Sequence, residues 1–224
     1  MTQARGRHTM KLYGYYRSST SYRTRIVLNL KGVDYEYVPV ALDRGEQQET
    51  AFRSVNPMGA VPALQDRNGV FIQSPAIIEY LEETHPEPAL LPSDPVARAR
   101  VREVAALIAC DIHPVNNLRI MRYIGEHYGQ DREGIARWYA HWIRAGFGPL
   151  EALLEARSSA GRYCIGDGVT LADAYLIPQV YNARRFSVPL DDYPVIRSIE
   201  SHCIGLTAFL AAHPDRQPDA PAAG

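Results

Sequence analysis

Four consecutive side chains, Arg17-Ser18-Ser19-Thr20, stand between a short aromatic stretch and an amphipathic run that begins at Ser21. Hydroxyls at a helix start lie beside backbone N–H groups that lack intrahelical acceptors, and the helix dipole adds partial positive charge there. Such a turn can hold an anion. The turn contains no cysteine, so a sulfur anion held there would have to come from outside the chain. The plainer reading is a helix N-cap with extra serines, common at any helix start. Residues further along decide between the two.

Downstream, Val61-Pro62 opens a strand through a proline, and Gln73-Ser74 precedes Pro75 at the start of an apolar-periodic segment. Ser74 is the expected N-cap of that segment, with Pro75 at its first helical position. Arginine forks recognise carboxylates bidentately, which makes any arginine a candidate anchor for an acid. Of the 24 basic residues only Lys11 and Lys31 are lysines, so an isolated arginine carries little information here. The cysteines Cys110, Cys164 and Cys203 are far apart and odd in number, which fits a reducing compartment and no metal-ligand pairing.

The elements that must position these residues follow from periodicity. Lys11–Tyr16 reads as a strand, Ser21–Lys31 as a helix closed by Gly32, Tyr35–Val40 as an edge strand ending near Pro39, and Glu46–Val55 as a short helix. Ala63–Asp66 and Val70–Gln73 form a hairpin across Arg67-Asn68-Gly69. A helix follows to about Thr84. The order β-α-β-α-β-β-α gives a small mixed sheet with helices on its faces. His85–Pro95 is a proline-rich linker, and the pattern beyond it is helical.

Val101, Val104, Ala105, Ile108 and Ile112 form one apolar stripe, ending at Pro114. Ile135, Trp138, Trp142, Phe147, Leu150 and Leu154 form another. Thr170 and Asp173 approximate a capping box worth about 1 kcal/mol. Pro178 is expected to kink or offset the helix that follows, and a last helical region covers Ile196 to Leu210. Residues 1–9 and 214–224 are expected to be flexible ends. Two domains result: 10–90, α/β, and 96–213, all-helical.

At 224 residues both domains can hold a core, and a formal charge of -1 argues against a generally basic nucleic-acid binder. No apolar run is long enough to span a membrane, and the first ten residues lack the apolar core of a signal peptide. A cytoplasmic protein is expected.

The sheet-then-helices order resembles that of the cytosolic glutathione transferases, whose first domain is thioredoxin-like and whose second is all-α. Arg17-Ser18-Ser19-Thr20-Ser21-Tyr22-Arg23-Thr24-Arg25 is similar to the zeta-class signature. So, in order, are Asn56-Pro57 to Val61-Pro62, Gln73-Ser74-Pro75-Ala76-Ile77-Ile78-Glu79-Tyr80-Leu81, His113-Pro114-Val115-Asn116-Asn117-Leu118-Arg119, and Pro178-Gln179-Val180-Tyr181-Asn182-Ala183-Arg184-Arg185-Phe186. The resemblance covers residues 10–213. Bacterial members of this class are chiefly maleylacetoacetate isomerases, with maleylpyruvate isomerases close by.

The resemblance implies glutathione as cofactor, no metal, and a maleyl diacid as substrate. Ser18, assisted by Ser19 or Thr20, would hydrogen-bond the glutathione sulfur, and the helix start would lower the thiol pKa below its free value of about 8.5. Val61-Pro62, as a cis peptide, would present the Val61 backbone to glutathione. Gln73 and Ser74 would hold its γ-glutamyl carboxylate, Gln47 would reach its glycyl end, and His113 would line the pocket mouth. Arg17, Asn117, Arg119 and Arg185 would bind the diacid. Thr20 replaces the usual signature cysteine, which leaves glutathione as the only thiol in the turn. Some maleylpyruvate-type members carry an arginine where this chain has Leu118, which tilts the expected substrate toward maleylacetoacetate. A homodimer is implied as well. Displacement of halide from small α-halo acids and non-enzymatic glutathione-fold binding are the alternatives.

Overall fold

The computed structural model describes residues 10–157 and 161–222. Residues 1–9 therefore lie outside the described part. The aromatic stretch forms β1 (Met10–Gly14), then come α1 (Ser19–Leu30) and β2 (Tyr35–Pro39), parallel to β1 with Leu12 opposite Tyr37. β3 (Ala63–Asp66) and β4 (Gly69–Ile72) make the expected antiparallel hairpin, and β3 also pairs antiparallel with β1. The sheet order is β2-β1-β3-β4, so Pro39 sits on an edge strand, where a missing N–H costs nothing. Leu12, Ala63 and Leu64 on the central strands are fully buried, as are Ile26 and Val27 of α1. The same holds for Ile77, Ile78 and Leu81 of α3 (Ser74–Thr84). This is the thioredoxin-like arrangement.

Two local expectations change. The helix expected over Glu46–Val55 is divided into a 3-10 turn, Glu46–Gln48, and α2 (Thr50–Val55), because Glu49 between them is extended at ψ 149°. Ser74 is not the cap of α3. The chain leaves β4 and reverses within a single residue, Gln73, whose φ of +69° places it at the cap and carries Ser74 into the first helical position.

The helical unit contains α4 (Pro95–Ala106), which runs on through a π-helical turn at Leu107–Ile112, then α5 (Leu118–Tyr128), α6 (Arg132–Arg157), α7 (Leu171–Arg185) and α8 (Pro194–Cys203). The sequence pattern does not single out α5. Only Ile124 of that helix is buried, and its other apolar residues Leu118, Ile120 and Met121 stay half-buried. In α6 the buried stripe is Tyr139, Ile143, Phe147, Leu150 and Leu154, while Trp138 and Trp142 flank it half-buried. α7 runs through Pro178 without ending, held by burial of nearly its whole length.

The described residues form two compact units, one of residues up to Pro88 together with those from Thr207 onward, the other Ala89–Leu206. The expected boundary at residue 213 is thus displaced. α9 (Thr207–Ala212) packs on α1, where Arg25 Nε donates to the Ala212 carbonyl (2.9 Å) and Asn29 Nδ2 to that of Ala208 (3.0 Å). Nor do the residues after 213 fray as expected, at least through Ala220. Gln217 is buried and its amide donates to the carbonyls of Ala211 and His213, both at 2.9 Å. Asp219 takes the Tyr16 N–H at 2.9 Å.

The cap at α7 holds more than one helix end. Asp173, fully buried, accepts from the Thr170 N–H (2.8 Å) and hydroxyl (3.0 Å) and from the Cys164 N–H (2.8 Å). Removing the carboxylate strands two buried amides, each costing about 1–3 kcal/mol. Asp173→Ala is therefore expected to lower unfolding free energy by about 3 kcal/mol rather than the 1 expected of a cap alone, measured by urea denaturation.

Candidate active site

The site in the first unit begins with a tight turn. Ser18 N–H donates to the Tyr15 carbonyl at 3.0 Å, which closes Tyr15–Ser18 and delivers Ser18 to the cap of α1. Its Oγ accepts from the Ser21 N–H at 3.3 Å and lies 2.8 Å from Thr20 Oγ1. Thr20 Oγ1 in turn donates to the Val61 carbonyl at 3.0 Å. A carbonyl only accepts, so the Thr20 proton is committed to Val61 and the Ser18 hydroxyl must be the donor toward Thr20.

That order has a chemical consequence. Ser18 can swing its proton toward an incoming anion while Thr20 stays bonded to Val61. A neutral hydrogen bond is exchanged for a charge-assisted one about twice as strong. No acidic residue occupies the first turn of α1, so nothing offsets its positive end. Ser19 is 5 % exposed and turned into the unit, whereas Ser18 is only partly buried. Burial pushes the neighbouring Tyr15 phenol up to about 12, which keeps it neutral near pH 7.

The other groups of this unit are placed by local backbone geometry. Val61-Pro62 is cis and directly precedes β3. The turn leading to it is built by buried Asn56, whose Oδ1 accepts from Met58 N–H (3.0 Å) and whose Nδ2 donates to Ala60 O (2.5 Å). Gly59, at φ +58°, lets that turn meet the Gln47 loop: a Cβ there would stand 2.9 Å from the Gln47 carbonyl oxygen. Gln47 is 5 % exposed, yet its Oε1 has no hydrogen-bond partner. A buried amide with an idle end fits a polar ligand arriving there. Gln73 is exposed in its strained conformation, and Ser74 is 3 % exposed at the open N-terminus of α3. Arg17 is exposed, its guanidinium carbon 5.5 Å from the Tyr16 ring centre.

In the helical unit the expected residues divide. Asn117 caps α5 by accepting the Arg119 N–H (3.1 Å), and its amide nitrogen lies 3.3 Å from His113 Nε2. With Oδ1 accepting, Nδ2 donates, which requires an unprotonated Nε2 on His113. Asn117 therefore braces His113 as well as the helix. Arg119 is exposed in the first turn of α5. Of the adjacent pair on α7, Arg184 is committed to an ion pair with Glu200, its Nε 2.7 Å from Oε1. The Arg185 guanidinium lies 4.7 Å over Phe186, which stacks on Tyr139 at 3.6 Å. Nothing local in the sequence assigns a role to Asn56, Gly59, Arg25 or Asp219. The first two lie in a recognised turn, Arg25 belongs to the quoted signature, and Asp219 has no local signal.

Residues 8–83 match the family model described as the glutathione S-transferase N-terminal domain. Over 210 residues, 94 % of this chain and 99 % of the relative, the protein is 53 % identical to a maleylpyruvate isomerase from a Ralstonia species. It is 50 % identical to the maleylacetoacetate isomerase of Pseudomonas aeruginosa, over 96 % of this chain and all of that one. The chain belongs to the zeta-class glutathione transferase family. A solved maleylacetoacetate isomerase from Methylobacterium extorquens AM1, holding malonate and glutathione, superposes with a TM-score of 0.91 at 42 % identity, covering 95 % of this chain and 100 % of that one. Among zeta-class sequences the hydroxyl at Thr20, in place of a thiol, makes a specific prediction. Thr20→Val should remove both the Ser18 acceptor and the tie to Val61, weakening glutathione binding about fivefold (about 1 kcal/mol) in titration calorimetry.

Proposed function

We propose that the protein is a glutathione-dependent cis–trans isomerase of maleyl diacids. The observation that carries this is the Ser18–Thr20–Val61 hydroxyl relay at the open end of α1, built without a chain sulfur. It occurs in a chain that matches isomerases of this class almost end to end. When bound, glutathione supplies the thiolate that adds to the cis double bond and departs after rotation, returning unchanged.

The chain's own groups have separate tasks. Ser18 donates to the sulfur, and the first turn of α1 favours the charged form. Ser74 and Gln73 at the start of α3 take a carboxylate of the bound thiol peptide, the Val61 backbone pairs with its main chain, and the Gln47 amide uses its idle end on the far carboxylate. Arg17 in the first unit is proposed to meet a diacid carboxylate and balance the charge that develops on it, and Arg119 and Arg185 are the guanidiniums that the resemblance names for this task in the second unit. His113 and Asn117 stand beside Arg119 as lining. A relative that binds both malonate and glutathione supports a dicarboxylate as the second ligand.

Maleylacetoacetate is the first-choice substrate because Leu118 stands uncharged at the start of α5. Relatives of both names match at 53 % and 50 % identity, which keeps maleylpyruvate as the second. The protein is proposed to work as a cytoplasmic homodimer.

Conversion of the maleyl to the fumaryl isomer is expected only with glutathione present, and with no glutathione depleted per turnover. Full-rate isomerisation without added thiol would sink the proposal. Stoichiometric glutathione loss would instead point to halo-acid transfer, and failure to bind immobilised glutathione to a non-enzymatic role. Arg17→Ala should lower kcat/KM for the diacid at least tenfold while leaving glutathione affinity within about twofold. Equal losses in both would move Arg17 to the glutathione side.

A further inference from the structure

The turn that carries Arg17 and Ser18 is held from outside its own sequence. Asp219 Oδ2 accepts the Tyr16 N–H at 2.9 Å across 203 positions of chain. Arg25, with no exposed surface, donates to the carbonyls of Tyr16 (Nη2, 2.9 Å) and Tyr15 (Nη1, 3.5 Å), and with Nε to Ala212. Every backbone polar group of Tyr15 and Tyr16 therefore has a partner, Ser21 Oγ taking the Tyr15 N–H at 3.4 Å.

The segment from Thr207 onward supplies half of this grip. Arg25 anchors the end of α9, the Gln217 amide folds the chain back on Ala211 and His213, and Asp219 arrives at Tyr16 with the Tyr37 hydroxyl donating to the same oxygen at 3.3 Å. The arrangement is costly for a purely structural tie. Asp219 Oδ1 is buried without a partner, and unpaired buried carboxylate oxygens are penalised. A costly, fully directed contact on the two residues preceding Arg17 and Ser18 is what control of those side chains requires.

We propose that Asp219 is a positioning residue for the thiolate turn. Its carboxylate fixes the Tyr16 amide so that Arg17 and the Ser18 hydroxyl keep one geometry toward sulfur and substrate. The inference rests on the reading of Ser18 as the partner of the glutathione sulfur. Its backbone half stands apart from that reading.

The test compares Asp219→Ala with Asp219→Asn in the full-length protein. The amide oxygen of Asn can still accept the Tyr16 N–H, but Asn carries no charge. Without any ligand, Asp219→Ala should speed hydrogen exchange of the Tyr16 amide at least tenfold and Asp219→Asn no more than threefold. With glutathione, the ultraviolet thiolate signal followed against pH should show the bound thiol of Asp219→Ala titrating at higher pH than in the parent. Its kcat should fall about fivefold, with a smaller change in KM for the diacid, and Asp219→Asn should restore both. Unchanged exchange in Asp219→Ala overturns the proposal. So does identical behaviour of the two variants, which would make the charge rather than the hydrogen bond responsible. If exchange responds as expected but no variant, nor the parent, binds glutathione, the positioning contact survives and the isomerase reading fails. If Asp219→Ala does not fold, exchange and thiol titration of Asp219→Asn decide: parent-like values uphold the hydrogen-bond role and altered ones overturn it.

Discussion

A guanidinium with no surface in water must be repaid in hydrogen bonds, since an unpaired buried charge costs several kcal/mol or more. Arg25 meets that requirement with carbonyls alone, from Tyr15, Tyr16 and Ala212. Burial also pushes its pKa down, so the acceptors and the nearby Tyr37, Tyr35 and Asp219 have to work against that penalty. Two segments nearly two hundred residues apart in sequence are thereby tied to one helix. The turn before α1, the helix itself and α9 share a single electrostatic solution, and the geometry of Ser18 is part of it.

The first unit uses mostly neutral groups where the cofactor is proposed to lie: hydroxyls of Ser18, Thr20 and Ser74, backbone groups at Val61, and the amides of Gln47 and Gln73. Such groups suit a peptide-like thiol, which has amides and carboxylates spread along its length. Helix N-termini at α1 and α3 supply positive potential without a mobile cation. The proposed diacid, with two charges on a small frame, is matched instead by guanidinium forks. Neighbouring arginines differ in their surroundings. Arg184 pairs with Glu200, and the Arg185 guanidinium lies over Phe186, which in turn stacks on the buried Tyr139.

Much of this was legible in the chain itself. The hairpin at Asn68-Gly69, the hydroxyl turn and the thioredoxin-like strand order depend on short-range spacing, and the structure reproduces them. The fine ends of elements were less legible. Ser74 looks like a cap because serine before proline usually is one, but the tight exit from β4 puts Gln73 at the cap position, where its side chain makes no capping bond. α5 has apolar residues at helical spacing, Met121, Ile124 and Tyr128, yet buries only Ile124. The tryptophans of α6 are large and apolar, which points to the core, yet they flank the buried stripe.

The sequence by itself determined the class of fold, the family and the residue types that could meet an anion, because these follow from local periodicity and from motifs a few residues long. Only the tertiary structure decided which hydroxyl proton is free to turn, through Thr20's commitment to Val61, and which of two serines is accessible. It also decided that a proline-rich tail reads as an anchor: Asp219 reaches Tyr16 through folding of the whole unit. Hydrogen bonds between residues 203 apart leave no periodicity and no spacing to read. They exist only once burial has brought donor and acceptor together.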